Sequence, residues 1–187
     1  MTQKFVIDAK RIFQMKKKEF FSNLNIMVRS LGLSTLFIFF IFLLDFFIKS
    51  LVINSMDLFQ VIYINEYFDF VRIHNTGAAF SFLSTASGWQ RWFFIIIGLV
   101  AITWFYTLLI AAIKEKSKIL NVAMVLILGG AVGNTFDRLY YGYVIDYLSF
   151  HINDWYYPAF NLADTCLSIG AFFFLISLGI DYFRKNN

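Results

Sequence analysis

Apolar residues collect into four long runs, 31–48, 92–113, 119–136 and 160–180, with the polar residues gathered between them. A helix rises ~1.5 Å per residue, so about 20 residues cross a ~30 Å hydrocarbon core, and each run predicts a transmembrane helix. Two runs carry no charge; the first holds only Asp45, near its end, and the fourth only Asp164, near its start. The connection 49–91 is too long for a bare loop in a compact protein. Its segment 61–73 is rich in Val, Ile, Tyr and Phe, which predicts strands, and His74-Asn75-Thr76-Gly77 reads as the turn that ends them. Ahead of the first run, residues 1–30 alternate basic and apolar positions at helical spacings. This pattern fits either a basic amphipathic helix on an anionic leaflet or a loose basic tail that sets topology.

Composition agrees with the pattern. Only 15% of the 187 residues are charged, against ~25% in an ordinary soluble domain, and the mean hydropathy is +0.67. The expectation is therefore an α-helical polytopic membrane protein forming a single membrane domain, 1–187, with no separate soluble unit. A net charge of +4 raises the question of nucleic acid, but the basic residues form no polar domain, so nucleic acid is excluded as a partner. Cys166 is the only cysteine and supports neither a disulfide framework nor a metal motif. Lys and Arg concentrate in the N-terminal segment, the 114–118 loop and the tail after Ile180, which predicts that both termini face the cytoplasm. The strand-rich 49–91 connection then rests on the outer leaflet, beside a belt of Trp89, Trp92, Trp155, Tyr156 and Tyr157.

With that topology the polar residues gather at one level. Asp45, Asn134, Asp137, Arg138, Asp146, Asn161 and Asp164 all fall near the outer ends of the predicted spans. Acids at membrane depth are costly and usually mark function. Asp146 and Asp164, on either side of a short polar connection, can share a proton, one ionised to activate water and the other protonated to polarise a carbonyl. Asn134 with Arg138 and Asn161 with Asp164 share helical faces, where they can bind a substrate backbone or orient the acids. Asp45 and Lys49, at i and i+4, predict a local ion pair with Lys49 reaching to the interface, and Asp137 beside Arg138 predicts a cap or ion pair. His74 and His151 lack any second ligand at metal spacing, so no metal site and no cofactor are expected. Ser81 and Ser168 have no evident base. An ion-coupled transporter and a purely structural subunit remain as rivals, the first weakened by the absence of charge at mid-depth in the second and third runs.

The motifs NTGAAFSFL (75–83), GGAVGNTFDR (129–138), GYVIDYLSF (142–150) and FNLAD (160–164) together resemble lipoprotein signal peptidase, also called signal peptidase II. The resemblance implies four helices with both ends cytoplasmic, an extracytoplasmic β-cradle, and an aspartic dyad of Asp146 and Asp164 in a bacterial cytoplasmic (inner) membrane. It implies removal of the signal peptide from a prolipoprotein, just before a diacylglyceryl-modified cysteine. Asn75, Asn134, Arg138 and Asn161 match positions that line the substrate pocket, which globomycin also occupies; Asp45, Lys49, Gly77 and Asp137 are supporting positions. Membrane lipids are the surrounding partners. Around Asp45 the family usually shows Asp-Gln-x-Ser/Thr-Lys, whereas this chain keeps only the two ends, Asp45 and Lys49.

Overall fold

The structure is a computed structural model that describes residues 2–77 and 88–186, with side chains from Met15 onward. The motif at 75–83 therefore passes beyond the described residues after Gly77, as does Ser81, and the side chains of residues 1–14 lie outside them too. Among the described residues are four helices, α1 (Thr2–Ser55), α2 (Trp89–Lys114), α3 (Lys118–Tyr140) and α4 (Leu162–Asn186). All four are long and apolar enough to cross a membrane. Helix α1 is uninterrupted because the chain up to Ser55 contains no proline and a single glycine, Gly32. At ~1.5 Å per residue it is roughly 80 Å long, well over twice a hydrocarbon core.

Helix α3 is the central one, packing against α1, α2 and α4. In lipid there is little hydrophobic drive between helices, so small residues that let backbones approach take over. A Cβ on Gly130 would overlap the carbonyl oxygen of Ala163 on α4, and one on Gly133 would lie 2.7 Å from a carboxylate oxygen of Asp45 on α1. At the far end of the bundle Leu109, Ala112, Ala123, Met124, Ile127 and Leu128 form the main buried apolar cluster.

Four strands form an antiparallel sheet in the order β1 (Val61–Asn65), β2 (Phe68–Asn75), β3 (Val144–Ile152), β4 (Trp155–Tyr156). The sheet departs from the sequence expectation in two ways. The turn between the first strands falls at Glu66-Tyr67, and His74 and Asn75 finish β2 rather than turning the chain. The segment read as a polar connection after α3 is mostly β3, paired with β2 so that Asp146 lies opposite Ile73 and Val144 opposite Asn75. Phe160 then bridges to Leu148, with hydrogen bonds of 2.9 Å in each direction, and ties the entry of α4 to β3.

Replacing Gly130 by Ala forces α3 from the α4 backbone. We expect a loss of about 1–3 kcal/mol, read as a thermal midpoint several degrees lower in detergent. The control Gly32→Ala, with open space around its Cβ, leaves the midpoint unchanged or slightly raised; equal effects at both positions would show that close α3–α4 approach is unimportant.

Candidate active site

Helix α4 begins two residues later than its apolar run, because Asn161 caps it. The Asn161 side-chain oxygen accepts from the Asp164 backbone N–H at 2.9 Å, and the Asp164 carboxylate accepts from the Asn161 N–H at 3.2 Å. This reciprocal arrangement is a capping box, and it fixes Asp164 in the first turn of α4. Carboxylates are favoured there because the positive end of the helix dipole lies beside them.

The fully buried Asn161 also reaches the other acid. Its Nδ2 donates to Asp146 at 2.8 Å, to the Ile145 carbonyl at 3.3 Å and to Asn134 at 3.3 Å. Asn75 sits diagonally across the β2–β3 ladder, on the same face as Asp146, and donates to its other carboxylate oxygen at 3.0 Å. Asn134 on α3 donates to Asp164 at 2.7 Å. Each acid is thus held by two donors, and one asparagine touches both. Asp146 is 2% exposed, and its carboxyl is pushed up to about 7, first by burial and then by the nearby charge of Asp164.

Behind Asn134 lies an ionic cluster that sequence spacing only half revealed. Lys49 Nζ is 2.7 Å from Asp45, as its helical spacing suggested, but it does not reach to an interface: it is 1% exposed. Asp137, brought from α3, lies 2.7 Å from the same ammonium, and the Asn134 side-chain oxygen accepts from it at 3.1 Å. With three acceptors around it, the ammonium is satisfied inside the bundle. Asp137 therefore pairs with Lys49 and not with its neighbour Arg138, and it also accepts from the Ile145 N–H at 3.3 Å. Asp45 uses its second oxygen to accept from the Ala163 N–H at 3.1 Å, another of the free donors at the start of α4.

Arg138 is half-buried beside the two acids. It donates to the Gly77 carbonyl at 2.7 Å and to the Asn134 carbonyl at 3.2 Å, and its guanidinium lies 5.0 Å over the ring of Phe94. Its Nε is buried and has no hydrogen-bond partner among the described residues. Gly77 donates in turn to the Asn75 side-chain oxygen at 3.0 Å. Sequence reasoning passed over Arg91, which donates to the carbonyls of Arg138 and Leu139 at 2.8 and 2.9 Å and so closes the end of α3. Its only signal was a basic residue at the head of an apolar run. Beside Asp164 opens a cleft of about 410 Å³, lined by Phe150, Trp155, Tyr157, Phe160 and Ile169 among others. Among the described residues no group of His, Cys, Asp or Glu is arranged to hold a metal ion.

The profile of a family described as Signal peptidase (SPase) II matches residues 37–180. A lipoprotein signal peptidase from Alteromonas mediterranea is 45% identical over 141 residues, which cover 73% of this chain and 75% of the relative. One from Photorhabdus laumondii subsp. laumondii is 44% identical over 131 residues, 70% of this chain and 78% of the relative. A solved bacterial membrane enzyme, determined by the in meso method at 2.3 Å resolution, superposes with a TM-score of 0.70 at 26% identity, covering 82% of this chain and 92% of that one.

Lys49→Met strands two buried carboxylates. We expect a loss of about 3–5 kcal/mol in thermal or denaturant unfolding. Combining it with Asp45→Asn recovers part of that loss, and additive losses would show that the two side chains act independently.

Proposed function

The chain belongs to the signal peptidase II family of peptidases, and from that premise we propose that it is an aspartic endopeptidase that cuts prolipoproteins just before their diacylglyceryl-modified cysteine, using Asp146 and Asp164. The observation that carries this reading is the hydrogen-bond frame in which Asn161 holds both acids, with each acid given one further asparagine. Four membrane-length helices with the acids at one end suit a substrate anchored by acyl chains, whose cleavage site stays near the headgroups.

In the proposed reaction Asp164 is ionised and Asp146 holds the proton. Asp164 takes a proton from a water as its oxygen attacks the scissile carbonyl carbon, while Asp146 gives its proton to the carbonyl oxygen. The tetrahedral diol then collapses: Asp164 passes its proton to the leaving amide nitrogen, Asp146 recovers one from a diol hydroxyl, and the C–N bond breaks. Both acids end as they began. The Arg138 guanidinium and the asparagine amides orient the substrate backbone. Lys49, Asp45, Asp137 and Gly77 hold the donors in place. The bundle forms one membrane unit in a bacterial cytoplasmic membrane, both termini cytoplasmic, with the sheet as an extracytoplasmic cradle over the site. Globomycin is expected to occupy the same pocket.

Asp146→Asn and Asp164→Asn should each lower cleavage of a diacylglyceryl-modified precursor by roughly a thousandfold or more while the protein still inserts. Gel-shift cleavage with and without globomycin reads this, and retained cleavage in both variants would refute the dyad. The rate should also fall on the alkaline side of about 7. Asp146 must be protonated there, and its raised carboxyl keeps the proton up to that point and loses it above. An activity that keeps rising through pH 8 would reverse that assignment. A metal chelator should leave the rate unchanged; loss restored by added metal would replace the aspartic mechanism.

A further inference from the structure

A second cleft of about 730 Å³ lies at the opposite end of the bundle, between α1 and the turn joining α2 to α3. Along α3 its edge at Lys118 is sixteen residues from Asn134, roughly 24 Å, so it is separate from the acids. One wall is formed by α1 positions such as Leu24 and Met27, which precede the residues matched by the family profile. The opposing wall includes Val122, and a hydrogen-bonded pair, Ser34 with Asn121, closes the cleft where the helices meet.

The chain reverses here in three residues. Lys116 adopts φ 55°, Ser117 N–H donates to the Ala112 carbonyl at 2.9 Å, and the turn thereby places Lys114, Lys116 and Lys118 around one opening. All three are exposed, and among the described residues no acid lines the cleft; Glu115 is in the turn but outside the lining. On α1, Lys16, Lys17, Lys18 and Arg29 flank the lining residues in sequence, with Glu19 as the one acid between them. The cleft therefore joins an apolar wall to a cationic rim at the height where an apolar span meets its polar flank. A ligand matching both halves has an anionic head and a greasy body.

We propose that this cleft binds one anionic phospholipid, its phosphate among Lys114, Lys116 and Lys118 and its glycerol and upper acyl segments against Leu24, Met27 and Val122. The lipid fills the gap between the protruding part of α1 and the rest of the bundle. The size lies within the ~300–1,000 Å³ of small-molecule sites. This inference is independent of the peptidase reading, because none of its residues touches the acids.

The test is native mass spectrometry of the full chain ejected from nanodiscs holding equal phosphatidylglycerol and phosphatidylcholine. We expect one retained phosphatidylglycerol. The variant K114Q/K116Q/K118Q should weaken its retention by about fivefold per lysine, on the order of a hundredfold in all. The control R184Q/K185Q, which removes two positive charges from the tail after α4, should leave it unchanged, and L24S/M27S should weaken lipid retention without creating affinity for inorganic phosphate. Equal retention of phosphatidylcholine, full retention in the triple variant, or an equal loss in the control overturns the site. Displacement of the lipid by inorganic phosphate alone would mark a free-phosphate site instead. A dimer in lipid-free detergent that the triple variant dissolves would make this face a contact between two copies, and would equally overturn the proposal.

Discussion

Removing an ammonium group from water costs several kcal/mol unless the surroundings return what hydration supplied, and Lys49 is removed almost completely. Two carboxylates and an amide oxygen surround its Nζ, and they come from two different helices. Because none of these groups can leave without stranding the others, α1 and α3 are locked in one register. Asp45 extends the lock to α4 through the Ala163 N–H. A buried ion cluster is a poor source of net stability compared with an apolar filling of the same shape. What this one contributes is position: three helix ends meet at one point.

That position passes outward through Asn134. Its oxygen is occupied by Lys49 and Asn161, so its amide nitrogen must face Asp164. The orientation of the amide is thereby settled by the chemistry around it, since the ammonium can only donate. Gly133, next to Asn134, leaves the space that the Asp45 carboxylate fills, and Gly130 one turn earlier lets the α4 backbone approach. The distance between Asn134 and Asp164 is therefore a product of small residues on one helix and charges on another. The second acid arrives by a different route, on a strand whose pairing with β2 sets Asn75 beside it. Two acids on unlike elements sit in unlike surroundings, the condition that the proposed division into one protonated and one ionised acid requires.

Much of this was legible in the chain, and the parts that were not share a cause. Long apolar runs announce spans because the hydrocarbon thickness fixes their length, and lone acids within them announce a buried polar cluster because their burial is costly without partners. Asp45 with Lys49 was visible because i, i+4 is a local relation. Asp137 as the second partner was not, since it depends on how α1 and α3 pack, and the apparent pair with Arg138 was a neighbour in sequence only. Strand β3 was read as a polar connection because Tyr143 to Phe150 follows a helix directly and finds its partner, β2, about seventy residues earlier. The start of α4 was displaced for the opposite reason: hydropathy counts Phe160 as part of the run, while hydrogen bonding gives Phe160 to the sheet and makes Asn161 the cap. Hydropathy reports where a residue prefers to be, and backbone pairing decides which element it joins.

The two ends of the bundle are consequently built on different principles. At the end bearing the acids, charges, amides, capping donors and a sheet converge, and most polar groups there are bonded to a different element. At the other end the polar link from α1 to α3 among the described residues is the pair of Ser34 and Asn121, and α1 runs on beyond it. Apolar side chains cannot hold helices together in lipid as they do in water, because the lipid tails are equally apolar. A bundle fastened at one end by ions is therefore left at the other with a gap between its longest helix and its neighbours, and lysines at the rim of that gap determine what can fill it. The same economy explains both ends: polar fastening fixes the positions of two acids at one surface, and its scarcity leaves a space of about 730 Å³ at the other.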